Sequence, residues 1–266
     1  MDLNLGKIVE NVISISKEAG KIIKENIGEK SNYNVYTKGT NDFVTNIDKK
    51  SEDLIVSSLK PLISGAGFIA EENNTLQLGR EFNWIVDPLD GTTNFINGLF
   101  PCSVSIALKR NEEIILGVVY EVGYDECFHA YKGAGAFLNG KRITVSSEKK
   151  MINSLLSTGF PYNAFERLEN YMELLEYFIK NAKGIRRLGS AATDLAYVAC
   201  GRFEGFYEYD LKPYDVAAGA ILVKEAGGDV CDFKGGNNYI FGKEIVASNS
   251  YIFEDFSTKV IEYMNT

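Results

Sequence analysis

Two aspartates, Asp87 and Asp90, are the residues of this chain best placed to do chemistry, because they lie three positions apart directly after the apolar run Trp84-Ile85-Val86. The turn Gly91-Thr92-Thr93 follows them, and backbone N–H groups in such a turn can face an anion. Hard divalent cations such as Mg²⁺ take oxygen ligands and commonly share a phosphate group with the protein. Two carboxylates beside an anion-binding turn therefore indicate metal-assisted phosphoryl chemistry.

Other carboxylates also lie at the ends of predicted elements: Glu71, Glu72, Asp42, Asp48 and Asp215. Side chains at the ends of different strands can converge on one site, although each acid taken alone could be a solvated surface group or a helix cap. Asp215 fits an N-cap well, and one carboxylate can both cap a helix and bind a metal ion. Asp87 and Asp90 would repel each other at the end of a buried strand unless a cation lies between them.

The composition narrows the class of protein. At 266 residues the chain can form one large domain or two modest halves. Its formal net charge of −8 argues against a general nucleic-acid-binding protein, so we expect no direct nucleic-acid partner. No apolar run approaches the ~20 residues of a membrane span, and residues 1–7 lack a basic region followed by an apolar core. We therefore expect a cytoplasmic protein with no membrane segment and no signal peptide.

The cysteines and the histidine argue against several other kinds of site. Cys102, Cys127, Cys200 and Cys231 are widely separated and form no C-x-x-C pair, so we expect reduced thiols and no zinc site. His129 is the only histidine of the chain, and a Ser-His-Asp triad or a histidine-rich metal site would have to be built from it alone.

Hydrophobic periodicity predicts a mixture of helices and strands. The helices are predicted at 5–27, 47–62, 165–181, 191–200 and 215–225, with one more at the end of the chain. The strands are predicted at 67–70, 84–86, 103–108, 114–120, 126–131, 153–158, 185–188, 205–208 and 245–247. A loop is predicted at 28–42, and Asn139-Gly140 is a strong hairpin signal. Because the pattern changes near residue 145 without a flexible linker, we predict a layered α/β protein with the halves 1–145 and 146–266.

Four segments of the chain resemble the inositol monophosphatase family. Residues 84–95 resemble the first signature of that family, and residues 215–228 resemble the second. Ala70-Glu71-Glu72 is similar to its metal-binding Glu-Glu segment, and residues 189–192 are similar to its turn on the substrate side. Each motif alone is moderately specific, but four of them in the same order along the whole chain are very specific.

The resemblance implies a role for each matching residue. The implied Mg²⁺ ligands are the carboxylates of Glu71, Asp87, Asp90 and Asp215 and the backbone carbonyl of Leu89. The residues implied to orient the attacking water are Glu71, Thr92 and Asp48. The residues implied to contact the substrate are Asp90, Gly91, Thr92, Gly189, Ser190, Ala191, Glu208 and Asp215, with the N–H groups of the Gly91-Thr92 turn on the phosphate.

The resemblance also implies a fold, a cofactor and an assembly. The expected fold is an αβαβα sandwich similar to fructose-1,6-bisphosphatase, in which residues 1–266 form one catalytic unit. The metal site is assigned to 1–145 and the substrate-side residues to 146–266. Two or three Mg²⁺ ions are expected per site, and a third ion would depend on residues 38–42, which resemble the family's mobile loop. Members of the family are commonly homodimers, so a homodimer is expected here.

The expected reaction is the hydrolysis of a small phosphate monoester by in-line attack of water. Metal ions neutralise the phosphate dianion, lower the pKa of a bound water and stabilise the leaving oxygen. Myo-inositol 1-phosphate is the first choice of substrate, because Glu208 and the 189–192 turn resemble those of that subgroup. Relatives of similar length act on fructose 1,6-bisphosphate, histidinol phosphate, adenosine 3′,5′-bisphosphate or NADP, so these esters stay open as alternatives.

Two functions of other classes are weighed against this one. A haloacid-dehalogenase-type phosphatase has a D-x-D-G-T motif, but its acids are two positions apart, whereas Asp87 and Asp90 are three apart. A regulatory protein-binding role stays open, because some members of the family are linked to RNA polymerase or to RNA regulation. Arg186 and Arg187 precede the 189–192 turn and could meet a second phosphate, pair with surface acids or face another subunit.

Overall fold

The computed structural model describes residues 3–29, 33–39, 42–72, 78–162 and 164–265. Its helices are α1 (Leu5–Asn26), α2 (Asn46–Leu59), α3 (Thr92–Ile96), α4 (Leu168–Asn181), α5 (Ala191–Ala199), α6 (Pro213–Glu225) and α7 (Phe253–Met264). Its strands are β1 (Val35–Gly39), β2 (Asp42–Thr45), β3 (Gly67–Ala70), β4 (Phe82–Asp90), β5 (Ser103–Arg110), β6 (Glu113–Glu121), β7 (Glu126–Tyr131), β8 (Gly135–Leu138), β9 (Lys141–Ile143), β10 (Leu155–Thr158), β11 (Gly184–Arg186), β12 (Gly205–Tyr209), β13 (Gly228–Cys231) and β14 (Glu244–Asn249).

Two large sheets organise the chain. Strands β3 to β9 lie side by side in sequence order, with β3 and β4 parallel and the other pairs antiparallel. The second sheet has the order β11-β10-β12-β14-β13, in which β10 runs parallel to both β11 and β12. Because parallel strands end at the same edge of a sheet, the segments that follow β10, β11 and β12 meet at one edge.

The helices lie in three layers around the two sheets. Helices α1 and α2 pack on the outer face of the first sheet, α5 and α6 lie between the sheets, and α4 and α7 cover the outer face of the second. This arrangement is the αβαβα sandwich that the resemblance implied, so that prediction is confirmed. Helix α1 buries one stripe of residues, whereas every residue of α5 is buried, as expected for a helix covered on both sides.

Helix α6 of the middle layer lies close to both α5 and the first sheet. A Cβ atom at Gly219 of α6 would lie 2.4 Å from Leu195 Cβ of α5. A Cβ atom at Gly117 of β6 would lie 2.5 Å from Ile221 Cγ2 of α6. The absence of a side chain at these two glycines therefore allows α6 to approach a helix and a sheet at once.

Most predicted elements are found, with shifts at their ends, and the hairpin prediction is confirmed because Asn139 and Gly140 have φ values of 48° and 77°. The loop prediction for 28–42 is wrong for residues 35–39 and 42, which belong to the antiparallel pair β1–β2. Their sequence has no clear alternation of apolar residues, so periodicity does not reveal them. The predicted helix 47–62 ends at Leu59, before Pro61.

Three expectations about organisation have different outcomes. The division into halves at residue 145 stays a prediction, since α6 packs against both sheets. In the segment 38–42, on which a third metal ion would depend, Thr40 and Asn41 lie outside the described residues. Within the described ranges, no helix has both the length and the apolar content that a membrane span requires.

Candidate active site

The acids of the first sheet lie at the carboxyl ends of two parallel strands. Glu71 directly follows β3. Asp87 is the fourth residue from the end of β4, and Asp90 is its last residue. The expectation that both aspartates follow the strand is wrong, because β4 continues to Asp90 after an irregularity in its pairing with β5. That irregularity leaves Pro88 and Leu89 unpaired between the two acids, and Leu89 N–H donates to Asp87 Oδ1 at 3.0 Å. The local bulge thus fixes the spacing of the two carboxylates.

The segments after the parallel strands of the second sheet face these acids. Residues 187–190 follow β11, and Asp215 lies at the start of α6, after β12. Asp215 is not the N-cap that the sequence suggested, because α6 begins at Pro213 and Lys212 precedes it. The carboxylate of Asp215 instead accepts the backbone N–H of Lys212 at 2.6 Å from the third helical position. Asp215 therefore still accepts a backbone N–H group at the start of α6, but it does so from inside the helix and not from the N-cap position.

Four carboxylates share the resulting space, of which Asp87 is buried and Glu71, Asp90 and Asp215 are partly exposed. Burial raises the pKa of Asp87 well above its ordinary value, and the charges of Glu71, Asp90 and Asp215 raise it further. Burial and the charge of Asp90 raise the pKa of Asp215 to about 7, against the opposing N–H group and charge of Lys212. This mutual repulsion marks a place where positive charge would be strongly favoured.

Asp90 is held by the N-terminus of α5. Burial raises its pKa to about 6, whereas hydrogen bonds from Ser190 and from the N–H groups of Ala191 and Ala192 oppose that shift. Ser190 Oγ donates to Asp90 Oδ2 at 2.6 Å, and Ala192 N–H donates to the same oxygen at 2.9 Å. Ser190 is also the N-cap of α5. Ser190 and Ala191, which the resemblance placed against the substrate, therefore lie against Asp90 in the structure.

Asp48 and Thr92 form a second polar unit beside the acids. Thr92 Oγ1 lies 3.2 Å from Asp48 Oδ1 and 3.1 Å from the Leu89 carbonyl oxygen, and a hydroxyl proton can serve one of them at a time. Asp48 has no exposed surface, and its other oxygen accepts the Thr45 N–H at 2.8 Å in the capping box of α2. Burial raises the pKa of Asp48, and hydrogen bonds from Thr45 and Thr92 oppose the rise. Asp48 thus fixes the position of Thr92.

A cavity of about 100 Å³ opens between the segments at the ends of β3 and β4 and the segments that follow β10, β11 and β12. Its lining consists of Glu71, Asp87, Leu89, Asp90, Gly91, Thr92, Thr93, Tyr162, Gly189 and Asp215. Gly91 has φ of 90°, and a Cβ atom there would lie 2.9 Å from the Pro101 carbonyl oxygen, so the turn requires glycine. Eight of these ten residues were predicted as site residues from the sequence, and the structure brings them together around one space.

A second cavity of about 190 Å³ adjoins the first and shares Glu71, Tyr162 and Asp215 with it. Glu208 lines this second cavity and not the first. Its carboxyl group lies against Gly159, where a Cβ atom would come within 2.0 Å of the Glu208 Cδ. Burial, followed by the charges of Asp194 and Asp215, raises the pKa of Glu208 well above its ordinary value.

The sequence analysis missed two of the residues that line the first cavity, Thr93 and Tyr162. Tyr162 follows β10, and the parallel pairing of β10 with β11 and β12 brings its segment to the site edge. The run Gly159-Phe160-Pro161-Tyr162, with glycine and aromatic residues after a predicted strand, was the available signal. His129, by contrast, stacks on Phe137 and lines neither cavity.

The donor set suits a hard cation, although the side chains are not arranged as a finished coordination sphere. Among the described residues, no three acid, histidine or cysteine groups are gathered closely enough to enclose a metal ion by themselves. The carboxylates of the first cavity and the Leu89 carbonyl are nevertheless all oxygen donors on one small space, and their repulsion favours a cation. Oxygen donors shared with a phosphate group are the usual environment of Mg²⁺.

Comparisons with known proteins find relatives that match nearly the whole chain. The family model described as the inositol monophosphatase family matches residues 5–264. An inositol-1-monophosphatase of Mesorhizobium japonicum is 39% identical over 242 residues, which cover 91% of each chain. The Nus factor SuhB of Escherichia coli strain K12 is 41% identical over 238 residues, which cover 89% of each chain. The crystal structure of the extragenic suppressor protein SuhB from Bartonella henselae superposes with a TM-score of 0.91 at 38% identity, covering 96% of this chain and 98% of that one.

Proposed function

The chain belongs to the inositol monophosphatase family of phosphatases, and we propose that it is a Mg²⁺-dependent phosphomonoesterase acting on a small polyol phosphate, with myo-inositol 1-phosphate as the first candidate. One observation carries the proposal. Three carboxylates at the ends of β3 and β4 and one at the start of α6 line a cavity of about 100 Å³ beside the Gly91–Thr93 turn. A cavity of this size suits a phosphate group and the cations that would neutralise its charge.

We assign the metal site to the carboxylates of Glu71, Asp87, Asp90 and Asp215 and to the Leu89 carbonyl. Two ions, or three, are proposed, and their charge would relieve the repulsion that raises the pKa of Asp87. Bound there, Mg²⁺ would supply charge neutralisation for the phosphate and Lewis-acid assistance to the attacking water and the leaving oxygen. The bulge that separates the two aspartates of β4 is what presents both side chains to one space.

Thr92, Asp48 and Glu71 are proposed to orient the attacking water. When the Thr92 hydroxyl donates to Asp48 or to the Leu89 carbonyl, its oxygen keeps a lone pair that can accept a hydrogen bond from water. Asp48 is fully buried and accepts a hydrogen bond from Thr45, so the orientation of the Thr92 hydroxyl is fixed before the substrate binds. Glu71 lines both cavities and is assigned to share that water through a metal ion.

The substrate is proposed to span the two cavities, with its phosphate in the first and its alcohol in the second. The N–H groups of Gly91 and Thr92 are assigned to phosphate oxygens, and Gly189, Glu208 and Asp215 to the alcohol side. Ser190 and Ala191 are reassigned from substrate contact to the support of Asp90, because their donors are directed at its carboxylate. A lost Ser190 hydroxyl would then disturb the metal site before it disturbs the alcohol.

Phosphate release from a panel of esters tests this proposal. The panel contains myo-inositol 1-phosphate, fructose 1,6-bisphosphate, histidinol phosphate, adenosine 3′,5′-bisphosphate and NADP, each with and without Mg²⁺. We expect Mg²⁺-dependent turnover that Asp90→Asn abolishes and that Asp229→Asn, a change of an exposed acid on β13, leaves intact. No Mg²⁺-dependent release from any ester would refute the enzymatic function, and preference for another ester would change the substrate alone.

A regulatory binding role is the second candidate, and the name of the Escherichia coli relative, Nus factor SuhB, favours it. The two functions separate in cells that lack the protein. Rescue by an Asp87→Asn variant would support regulation without catalysis, whereas rescue by wild type alone would support the phosphatase. The homodimer, the absence of direct nucleic-acid binding and the cytoplasmic location stay predictions.

A further inference from the structure

We propose that Tyr162, held in place by Arg187, determines specificity for the alcohol part of the substrate and selects an alcohol that carries several hydroxyl groups and no second phosphate. The inference rests on the proposed phosphatase function and concerns the same site. Tyr162 lines both the first and the second cavity, so its side chain lies where the phosphate and the alcohol of a substrate would join.

Arg187 fixes the position of the tyrosine hydroxyl. Its Nη2 donates to Tyr162 Oη at 3.3 Å, and its guanidinium carbon lies 5.6 Å from the centre of the Phe160 ring. Phe160 in turn packs edge-on against the buried ring of Tyr171, with 6.2 Å between the ring centres. The 160–162 segment is therefore held from the solvent side by a cation and from the core side by an aromatic ring.

Arg187 also connects this segment to the turn on the other side of the first cavity. A Cβ atom at Gly189 would lie 3.0 Å from Arg187 Nη1, so the guanidinium occupies space that a side chain at 189 would take. One arginine thus contacts both walls of the cavity mouth. A phenol hydroxyl can accept a hydrogen bond from a guanidinium and also donate one, and a substrate oxygen is the acceptor that the proposal assigns to Tyr162.

The second cavity has the chemical character of a polyol site. Its aromatic lining residues are Phe160, Tyr162, Tyr209 and Tyr214, and its acids are Glu71, Glu208, Asp210 and Asp215. Aromatic faces pack against the C–H groups of a polyol, while carboxylates accept hydrogen bonds from its hydroxyl groups. Tyr162 contributes both an aromatic ring and a hydroxyl to this lining.

The same lining disfavours a second phosphate group. Even with Glu71 and Asp215 committed to metal ions, the carboxylates of Glu208 and Asp210 face the cavity together with one lysine, Lys212. A phosphate placed there would lie beside these carboxylates, and the like charges would repel each other. The guanidinium of Arg187 contacts Tyr162 and Phe160 and is not part of the lining of this cavity.

Steady-state kinetics with two monoesters test the inference. Myo-inositol 1-phosphate carries hydroxyl groups on its alcohol, and phenyl phosphate carries none. We expect Tyr162→Phe to raise KM for the inositol ester about fivefold, the effect of one lost hydrogen bond, with kcat changed less than about twofold and with phenyl phosphate unaffected. Arg187→Met should act in the same direction, since it releases the tyrosine hydroxyl.

Two matched variants control for general effects of the substitutions. Tyr124→Phe removes the hydroxyl of a tyrosine that is 76% exposed and lines neither cavity. Arg186→Met removes the neighbouring arginine, whose Nη1 donates to the backbone oxygen of Ile185. Both controls should retain the wild-type KM for both esters.

The outcomes separate the inference from the proposed function. An equal rise in KM for both esters, no rise in Tyr162→Phe, or a lower wild-type KM for fructose 1,6-bisphosphate than for the inositol ester would each overturn the specificity role while leaving the phosphatase intact. If the wild type releases phosphate from none of these esters with Mg²⁺, the proposed function fails and the inference fails with it.

Discussion

Replacing Ser190 with alanine tests the connection between the two sheets at Asp90. The Ser190 hydroxyl donates to Asp90 Oδ2 at 2.6 Å and accepts the Thr193 N–H at 3.3 Å as the N-cap of α5. Ser190 is 1% exposed, so water does not replace the lost group. Loss of an N-cap costs about 1 kcal/mol, and loss of a hydrogen bond to a charged group costs about 1.5–3 kcal/mol. Because one hydroxyl serves both, we expect Ser190→Ala to lower the free energy of unfolding by about 2–3 kcal/mol.

The same substitution should weaken metal binding if Asp90 is a ligand. Ser190 orients the Asp90 carboxylate, and groups in that position typically change metal affinity about 10–100-fold when they are removed. We therefore expect the Mg²⁺ concentration for half-maximal phosphate release to rise about tenfold, toward the lower end of that range, because the N–H of Ala192 still holds the same oxygen. The maximal rate at saturating Mg²⁺ should fall much less.

Urea unfolding in the presence of a chelator and a Mg²⁺ titration of phosphate release measure the two effects separately. Ser257→Ala is the matched control, since Ser257 is 7% exposed on α7 and its hydroxyl makes one long contact of 3.4 Å to the Glu254 carbonyl oxygen. A stability loss no larger than that of the control would contradict the assigned hydrogen bonds. An unchanged Mg²⁺ titration would contradict the role of Ser190 in holding a metal ligand.

Three further substitutions test the core, a buried acid and the metal site. Gly219→Ala should lower the free energy of unfolding by about 1–3 kcal/mol in urea, because its Cβ would lie 2.4 Å from Leu195 Cβ; an unchanged midpoint would contradict this contact. Burial raises the pKa of Glu121, so the folded protein keeps this proton where the unfolded chain has lost it, and stability should fall as pH rises above 4.5. Urea midpoints over that range should show a shallower fall in Glu121→Gln, and an equal fall would refute the assignment. Mg²⁺ should raise the melting temperature of the wild type by preferential binding to the folded state, and Asp87→Asn should lose that rise; equal shifts would argue against Asp87 as a ligand.

The layered fold was predictable because burial leaves a strong signature in the sequence. Helix α6 is apolar around its whole circumference from Val216 to Val223, the pattern of a helix covered on both faces. Helix α1 instead has one apolar stripe, the pattern of an outer layer. The β1–β2 pair was not predictable in this way, because its sequence has no clear alternation of apolar and polar residues.

The acids of the site were predictable, but the partners of those acids were not. The types and spacing of Asp87 and Asp90 indicate cation chemistry by themselves, since adjacent carboxylates need a neutralising partner. The role of Ser190 depends on its contact with Asp90, a residue 100 positions earlier in the chain. Sequence spacing contains no information about such a contact, so resemblance alone assigned this serine to the substrate. Tyr162 was missed for the same reason, since its place at the site follows from the parallel pairing of β10 with its neighbours.

The meeting of two sheet edges also explains why the site has two unlike compartments. The first sheet contributes acids at the ends of β3 and β4, and these dominate the smaller cavity. The second sheet contributes the aromatic segment after β10 and Glu208 of β12, and these dominate the larger cavity. Asp90 connects the first sheet to the middle helix layer, because it belongs to β4 and accepts hydrogen bonds from the start of α5. Substitutions at Asp90 and Ser190 should therefore be non-additive in Mg²⁺ affinity, whereas substitutions at Ser190 and Tyr162, whose hydroxyl groups have different hydrogen-bond partners, should be additive.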